Sequence, residues 1–132
     1  MKAEELRLGN WVYISDNYTH AFYKQETQIN IHNMMYLCGE TKEPLDFTFE
    51  PIPLTEEILL KCGFYETSNK DFIGGLFALK QKGDGFYINK ETMSYCYFDY
   101  EGNIEDIIKI NYVHQLQNLY FALTNEELQI EL

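Results

Sequence analysis

The chain has 132 residues, 45% of them hydrophobic, and a formal net charge of −11 from 21 acids against 10 bases. That length and apolar content suit one domain with a core of its own and exclude wholesale disorder, and no run of about 18 apolar residues is present to span a membrane. Arg7 is the only arginine, so the chain is poorly equipped to neutralise phosphates or read guanine edges, and no nucleic-acid partner is expected.

The start, Met1-Lys2-Ala3-Glu4-Glu5, lacks the apolar run of a secretory signal, which points to a cytoplasmic protein. Residues 9–15 read as a strand, with Trp11 and Tyr13 on one face and Val12 and Ile14 on the other. Asp16 and Asn17 supply a turn. Thr27, Ile29 and Ile31 alternate with polar residues, residues 34–38 read as a return strand, and Phe47 and Phe49 alternate again. The first fifty residues are therefore expected to form an antiparallel sheet or a small barrel.

Pro51 and Pro53 interrupt strand pairing, because neither can donate to a ladder, and they mark a sub-boundary within a single domain spanning 1–132. A short central helix follows over residues 54–63. Thr55 is placed to cap it, Glu56 and Glu57 lie at its positive end, Leu54 faces Leu59 as a staple, and Gly63 stops it. Two turns are unstable alone, so Ile58, Leu59, Leu60 and Cys62 must dock on a core.

Next comes an antiparallel meander: residues 76–81, a turn at 82–85, residues 86–89, residues 93–100, a turn at 101–103, and a half-buried strand with Ile104, Ile107, Ile108 and Ile110. Asn111 stands where a helix cap belongs. From Tyr112 the period changes: Tyr112, Leu116, Leu119 and Leu123 form one stripe of an amphipathic helix, Gln117 and Asn118 take its wet side, Phe121 faces elsewhere, and Asn125 is a left-handed stop. Leu128, Ile130 and Leu132 alternate as a terminal strand would. The expected class is α+β: sheet or small barrel, short central helix, and a meander packed against the C-terminal helix.

Chemistry-bearing constellations are weak. Cys38, Cys62 and Cys96 are odd in number and widely spaced, which fits reduced, mostly buried thiols. His20, His32 and Cys38 lack metal-ligand spacing, and His114 reads as a packed neutral imidazole. Glu105 and Asp106, as strand neighbours, point to opposite faces and cannot pair as acid and base. Gly74-Gly75 precedes no helix that would make a phosphate cradle. Lys80, Lys82 and Lys90 read as a solvated hairpin face. No catalytic residue, cofactor or metal is expected, and the chain is read as not an enzyme.

Aromatic residues make up 16% of the chain. Residues 95–100 read Tyr-Cys-Tyr-Phe-Asp-Tyr, with Tyr95 and Tyr97 on one face and Cys96, Phe98 and Tyr100 on the other. Exposed tyrosine gives large contact area at low entropic cost, so Tyr95, Tyr97, Tyr100 and Phe121 are the candidate protein interface.

Three blocks, Leu6-Arg7-Leu8-Gly9-Asn10, Pro51-Ile52-Pro53-Leu54-Thr55-Glu56-Glu57 and the stretch from Ile108 through Tyr112-Val113-His114-Gln115-Leu116-Gln117-Asn118-Leu119-Tyr120-Phe121 to Leu128, resemble a family of uncharacterised small proteins from prophage and mobile-element regions of gut Bacteroidales. Where that family has Gly at the helix end, this chain has Asn125. The resemblance implies an accessory protein of a mobile element and brings no activity or site residue. The expected function is non-enzymatic protein binding, to a partner or to itself. The alternatives are an acidic DNA mimic that inhibits a host nuclease or restriction enzyme, and a small enzyme.

Overall fold

The structure is a computed structural model that describes residues 3–21, 23–39, 47–67, 75–79, 85–98 and 101–132. After a 3-10 turn at Ala3–Glu5 the elements are β1 (Trp11–Asp16), β2 (Gln25–Gln28), α1 (Ile31–Leu37), β3 (Phe47–Pro51), α2 (Glu56–Lys61), β4 (Tyr65–Thr67), β5 (Leu76–Leu79), β6 (Phe86–Asn89), β7 (Ser94–Phe98), β8 (Ile104–Lys109) and α3 (Val113–Thr124). The fold is α+β, with a three-stranded sheet ordered β2-β1-β3 and a five-stranded meander ordered β4-β5-β6-β7-β8. The chain divides into two compact units, Met1–Pro53 with Tyr112–Leu128, and Leu54–Asn111 with Gln129–Leu132.

In the first unit β1 is the central strand, antiparallel to both neighbours, with Val12 opposite Thr27 on one side and Pro51 on the other. The apolar faces of β1 suit that position, and Val12 is fully buried with Leu6 and Ile29. Among the described residues the sheet is open, with β2 and β3 as its edges, rather than a barrel.

Residues 34–38 are not a return strand. Ile31–Leu37 is helical because Asn30 caps it: Asn30 Oδ1 accepts from Asn33 N at 2.8 Å, and Asn33 Oδ1 accepts from Asn30 N at 3.1 Å. This reciprocal cap satisfies amides that the helix start would orphan, and it outweighs the alternating pattern before it. Met34 and Leu37 then reach the Leu6–Val12–Ile29 core, and the ring of Tyr36 meets Phe47 and Phe49 edge-on at 6.2 and 6.5 Å.

The helix expected to close the meander falls in the compact unit of the N-terminal sheet. Its N-cap is Tyr112 rather than Asn111, and Gln115 Oε1 accepts from Tyr112 N at 3.2 Å. Val113 N donates to Ile52 O at 2.9 Å, which fixes where the helix begins. The buried residues are Val113, His114, Leu116, Gln117 and Tyr120, with Leu119 half-buried and Leu123 exposed, so the buried face is rotated from the all-leucine stripe toward Gln117. Asn125 ends the helix in the left-handed region at φ 58°, and its N–H donates to Phe121 O at 2.7 Å. Leu128 and Ile130 are buried, but residues 128–132 form no strand.

In the second unit Thr55 Oγ1 caps α2 by accepting from Ile58 N at 3.2 Å. Gly63, at φ 90°, turns the chain out of the helix in a conformation that L side chains rarely adopt. Leu59, Cys62 and Phe64 are buried, and Phe64 meets Phe86 edge-on at 6.0 Å. The meander gains a strand absent from the sequence reading, β4, paired with β5. One row of neighbours, Glu66, Phe77, Ile88, Tyr95 and Ile108, crosses all five strands. It is buried at Phe77 and Ile88 and open at both ends. Burying one such large side chain contributes about 1.5–3 kcal/mol, which anchors the row at its centre. Ile108 stands on the edge strand.

Candidate interaction surface

β7 presents the tyrosines that the sequence singles out. Tyr95 lies opposite Ile108 and Tyr97 opposite Glu105, on the same face of the sheet. Tyr95 is half-buried, its ring 4.8 Å from that of Phe86, and burial raises its phenol above the ordinary value of 10.0. Tyr97 is 42% exposed and its hydroxyl donates to Glu105 Oε2 at 3.2 Å. Tyr95 is thus an anchor in the core and Tyr97 a surface residue.

The register slips between Tyr95 and Cys96: their partners are Ile108 and Asp106, which leaves Ile107 as the extra residue of a bulge. A bulge bends an edge strand and re-aims its side chains. Here it accompanies 54% exposure of Ile107 and 53% of Ile108 on a strand expected to be half-buried. The uneven spacing of Ile104, Ile107, Ile108 and Ile110 was the available sign, since a regular strand alternates by two.

The strand is held firmly. Asp106 accepts from Asn89 Nδ2 at 3.1 Å and from Thr92 Oγ1 at 3.1 Å, while Asn89 Oδ1 accepts from Glu91 N at 3.0 Å. Ile110 N donates to Met93 O at 2.9 Å. The turn after β6 is therefore tied to β8, and the exposed isoleucines stand on a fixed support.

Phe121 sits in the other unit, half-buried beneath Arg7, whose guanidinium carbon lies 4.3 Å from its ring centroid. Tyr100 lies outside the described residues, as do Lys80, Lys82 and Gly74.

Arg7 is the centre of a polar clasp. Its Nε donates to Asn118 Oδ1 at 2.9 Å, Nη1 to Glu127 Oε1 at 2.8 Å and Nη2 to Gln117 O at 3.2 Å. Asn10 Nδ2 donates to Asn118 Oδ1, and Asn118 Nδ2 to Glu5 O, both at 2.9 Å. Gln117 receives Trp11 N at 2.8 Å and donates to Gly9 O at 3.1 Å. Arg7 and Asn10 near the start of the chain are therefore bonded to Gln117, Asn118 and Glu127 near its end.

Among the described residues no group of three His, Cys, Asp or Glu side chains is arranged to hold a metal. His20 and His32 are exposed, as is Cys38. Cys62 and Cys96 are buried, and burial pushes their thiols up to about 12 and about 11. His114 is 1% exposed, neither ring nitrogen has a hydrogen-bond partner among the described residues, and its ring stacks on Tyr112 at 5.8 Å. Burial lowers its pKa below 6.5. No helix of the described residues is long and apolar enough to cross a membrane. Comparison of the chain with protein-family models, with curated proteins and with solved structures gives no match.

Proposed function

We propose that the chain is a non-enzymatic accessory protein of a phage or mobile element that binds another protein through the β7–β8 face. One observation carries the binding role: Tyr97 on β7 is exposed, and so are Ile107 and Ile108 on the neighbouring bulged edge strand β8, which Asp106 ties to the turn after β6. Clustered exposed aromatic and aliphatic side chains mark interaction sites, and a rigid support lowers the entropic cost of binding. Provenance rests only on the resemblance of the three sequence blocks. Like charge repels, and each copy carries −11, which favours a different protein over self-association.

The test is affinity capture by the wild-type chain and by a Tyr97→Ala, Ile108→Asp double variant. A partner held by the first and lost by the second supports the role. Equal capture by both, or a lone monomer with no patch-dependent partner, sinks it.

A further inference from the structure

His114 is the second residue of α3, almost wholly buried, with neither ring nitrogen hydrogen-bonded among the described residues. A neutral imidazole carries one donor and one acceptor, and buried polar groups are normally paired. An imidazolium there would hold two donors without an acceptor, at the helix end whose free amides disfavour positive charge. α3 contains no Asp, Glu, Lys or Arg to compensate it.

The groups around the ring leave that preference in place. Tyr112 stacks on it at 5.8 Å. Glu5, in the 3-10 turn, favours a proton at His114, whereas burial, the largest effect, and the chain's positive amino terminus oppose it. β1, which packs on α3, brings Tyr13 and Asp16, and Asp16 is engaged by the amides of Tyr18 and Thr19. Glu50 on β3 pairs with Lys24, and Arg7 with Glu127.

The surroundings confine the response to one turn. Asn111 is exposed, so the ring lies three residues from water along the chain. The turn is held by Val113 N donating to Ile52 O at 2.9 Å and by a bridge between Pro53 and Tyr112. Further along, Gln117 and Asn118 are gripped by Gly9, Trp11, Arg7 and Asn10. Opening residues 112–115 hydrates the imidazole, whereas freeing the rest of α3 breaks the clasp.

We infer that the first turn of α3 is an acid-released latch: a proton taken from water by His114 detaches residues 112–115 from Ile52 and Pro53, while the clasp keeps the rest of the helix in place. The latch is independent of the binding role proposed for β7–β8. Its closed state is fully stable above about 6.5, the ordinary value that His114 regains in the opened turn. As pH falls from there to the lowered value of the closed site, the open fraction should rise by about tenfold per pH unit, and then level off.

The test is amide hydrogen exchange of the full chain, read residue by residue by NMR between about pH 7.5 and about pH 4.5, with protection corrected for the intrinsic pH dependence of exchange. Protection of the Val113 and Leu116 amides should fall about tenfold or more on acidification, while Tyr120, beyond the clasp, and Ile88, in β6, change less than about threefold. His114→Phe should abolish the difference, and His114→Leu makes the same comparison if phenylalanine does not fit. An equal fall at all four amides would mean cooperative unfolding in place of a latch and overturns the inference. So does an unchanged fall in both variants, or an imidazole of His114 that titrates near its ordinary value while the Val113 amide stays protected.

Discussion

Arg7 Nη1 lies 2.8 Å from Glu127 Oε1, across 120 residues of sequence, and the same guanidinium bonds Asn118 and covers Phe121. An exposed ion pair alone contributes little, but this one is only 30% exposed on the arginine side and is one member of a network. Arg7→Ala should lower stability by about 1–3 kcal/mol, and Arg7→Lys by nearly as much, because a lysine cannot bond Asn118, Gln117 and Glu127 at once. Glu127→Gln should be mild, within about 1 kcal/mol. Chemical denaturation checks this, and a fully stable Arg7→Lys would show that the fork is immaterial.

Gln117 is 2% exposed and its side-chain amide bonds the main chain on both sides, at Trp11 N and Gly9 O. Gln117→Leu keeps the shape but removes the side-chain partner of the half-buried Trp11 N, while Gly9 O keeps its bond from Gln28 Nε2 at 3.2 Å, so the chain should be destabilised by about 1–3 kcal/mol. Slow hydrogen exchange of the Trp11 amide should be lost in the variant. An amide that stays protected would mean the bond is dispensable.

The elements with strong periodicity or clear punctuation were legible in the sequence: the central β1, the Thr55-capped α2, the meander and the Asn125 stop all follow from pattern and cap chemistry. The face of α3 was not. Hydrophobic periodicity assigns Gln117 to water, and only the main-chain groups of Gly9 and Trp11, more than a hundred residues away, make its burial favourable. β4 was missed because Tyr65, Glu66 and Thr67 are too few to show a period, and their strand character comes from β5. α1 was misread because Asn30 and Asn33 act as a pair, a signal weaker in sequence than alternation. The site was half legible: Tyr95 and Tyr97 stand out by composition, whereas the exposure of Ile107 and Ile108 depends on a register slip.

His114 gives stability a definite pH dependence. Its folded pKa is lowered from 6.5 by burial, so the unfolded chain binds the proton more tightly. The stabilisation is therefore fully present above about 6.5 and is lost as pH falls through the lowered folded value. His114→Phe keeps a flat ring against Tyr112 and removes the titration. Unfolding midpoints at pH 7 and pH 5 should differ less in that variant than in the wild type. An unchanged difference would assign the acid sensitivity to carboxylates instead.

The three thiols should separate by reactivity. Cys38 is exposed, whereas Cys62 and Cys96 are buried, with thiols pushed up to about 12 and about 11. The thiolate is the nucleophile, so iodoacetamide near neutral pH should alkylate Cys38 in the native protein and all three only after unfolding. Mass spectrometry reads the adducts directly. Native labelling of Cys62 at the rate of Cys38 would place α2 in frequent local opening.

Asn125 holds φ 58° and ψ 23°, which asparagine tolerates and glycine adopts at no steric cost. Asn125→Gly should leave stability level or raise it by about 0.5–1 kcal/mol, since relief of the left-handed conformation is offset in part by greater freedom of the unfolded chain. Asn125→Ala should destabilise by about 1 kcal/mol, because its Cβ meets the same backbone clash without the local hydrogen bonding open to asparagine. Thermal midpoints of the two variants decide the matter. If alanine matched glycine, the helix would have to end in a right-handed conformation, and the Asn125 N–H to Phe121 O bond at 2.7 Å would not be the stop.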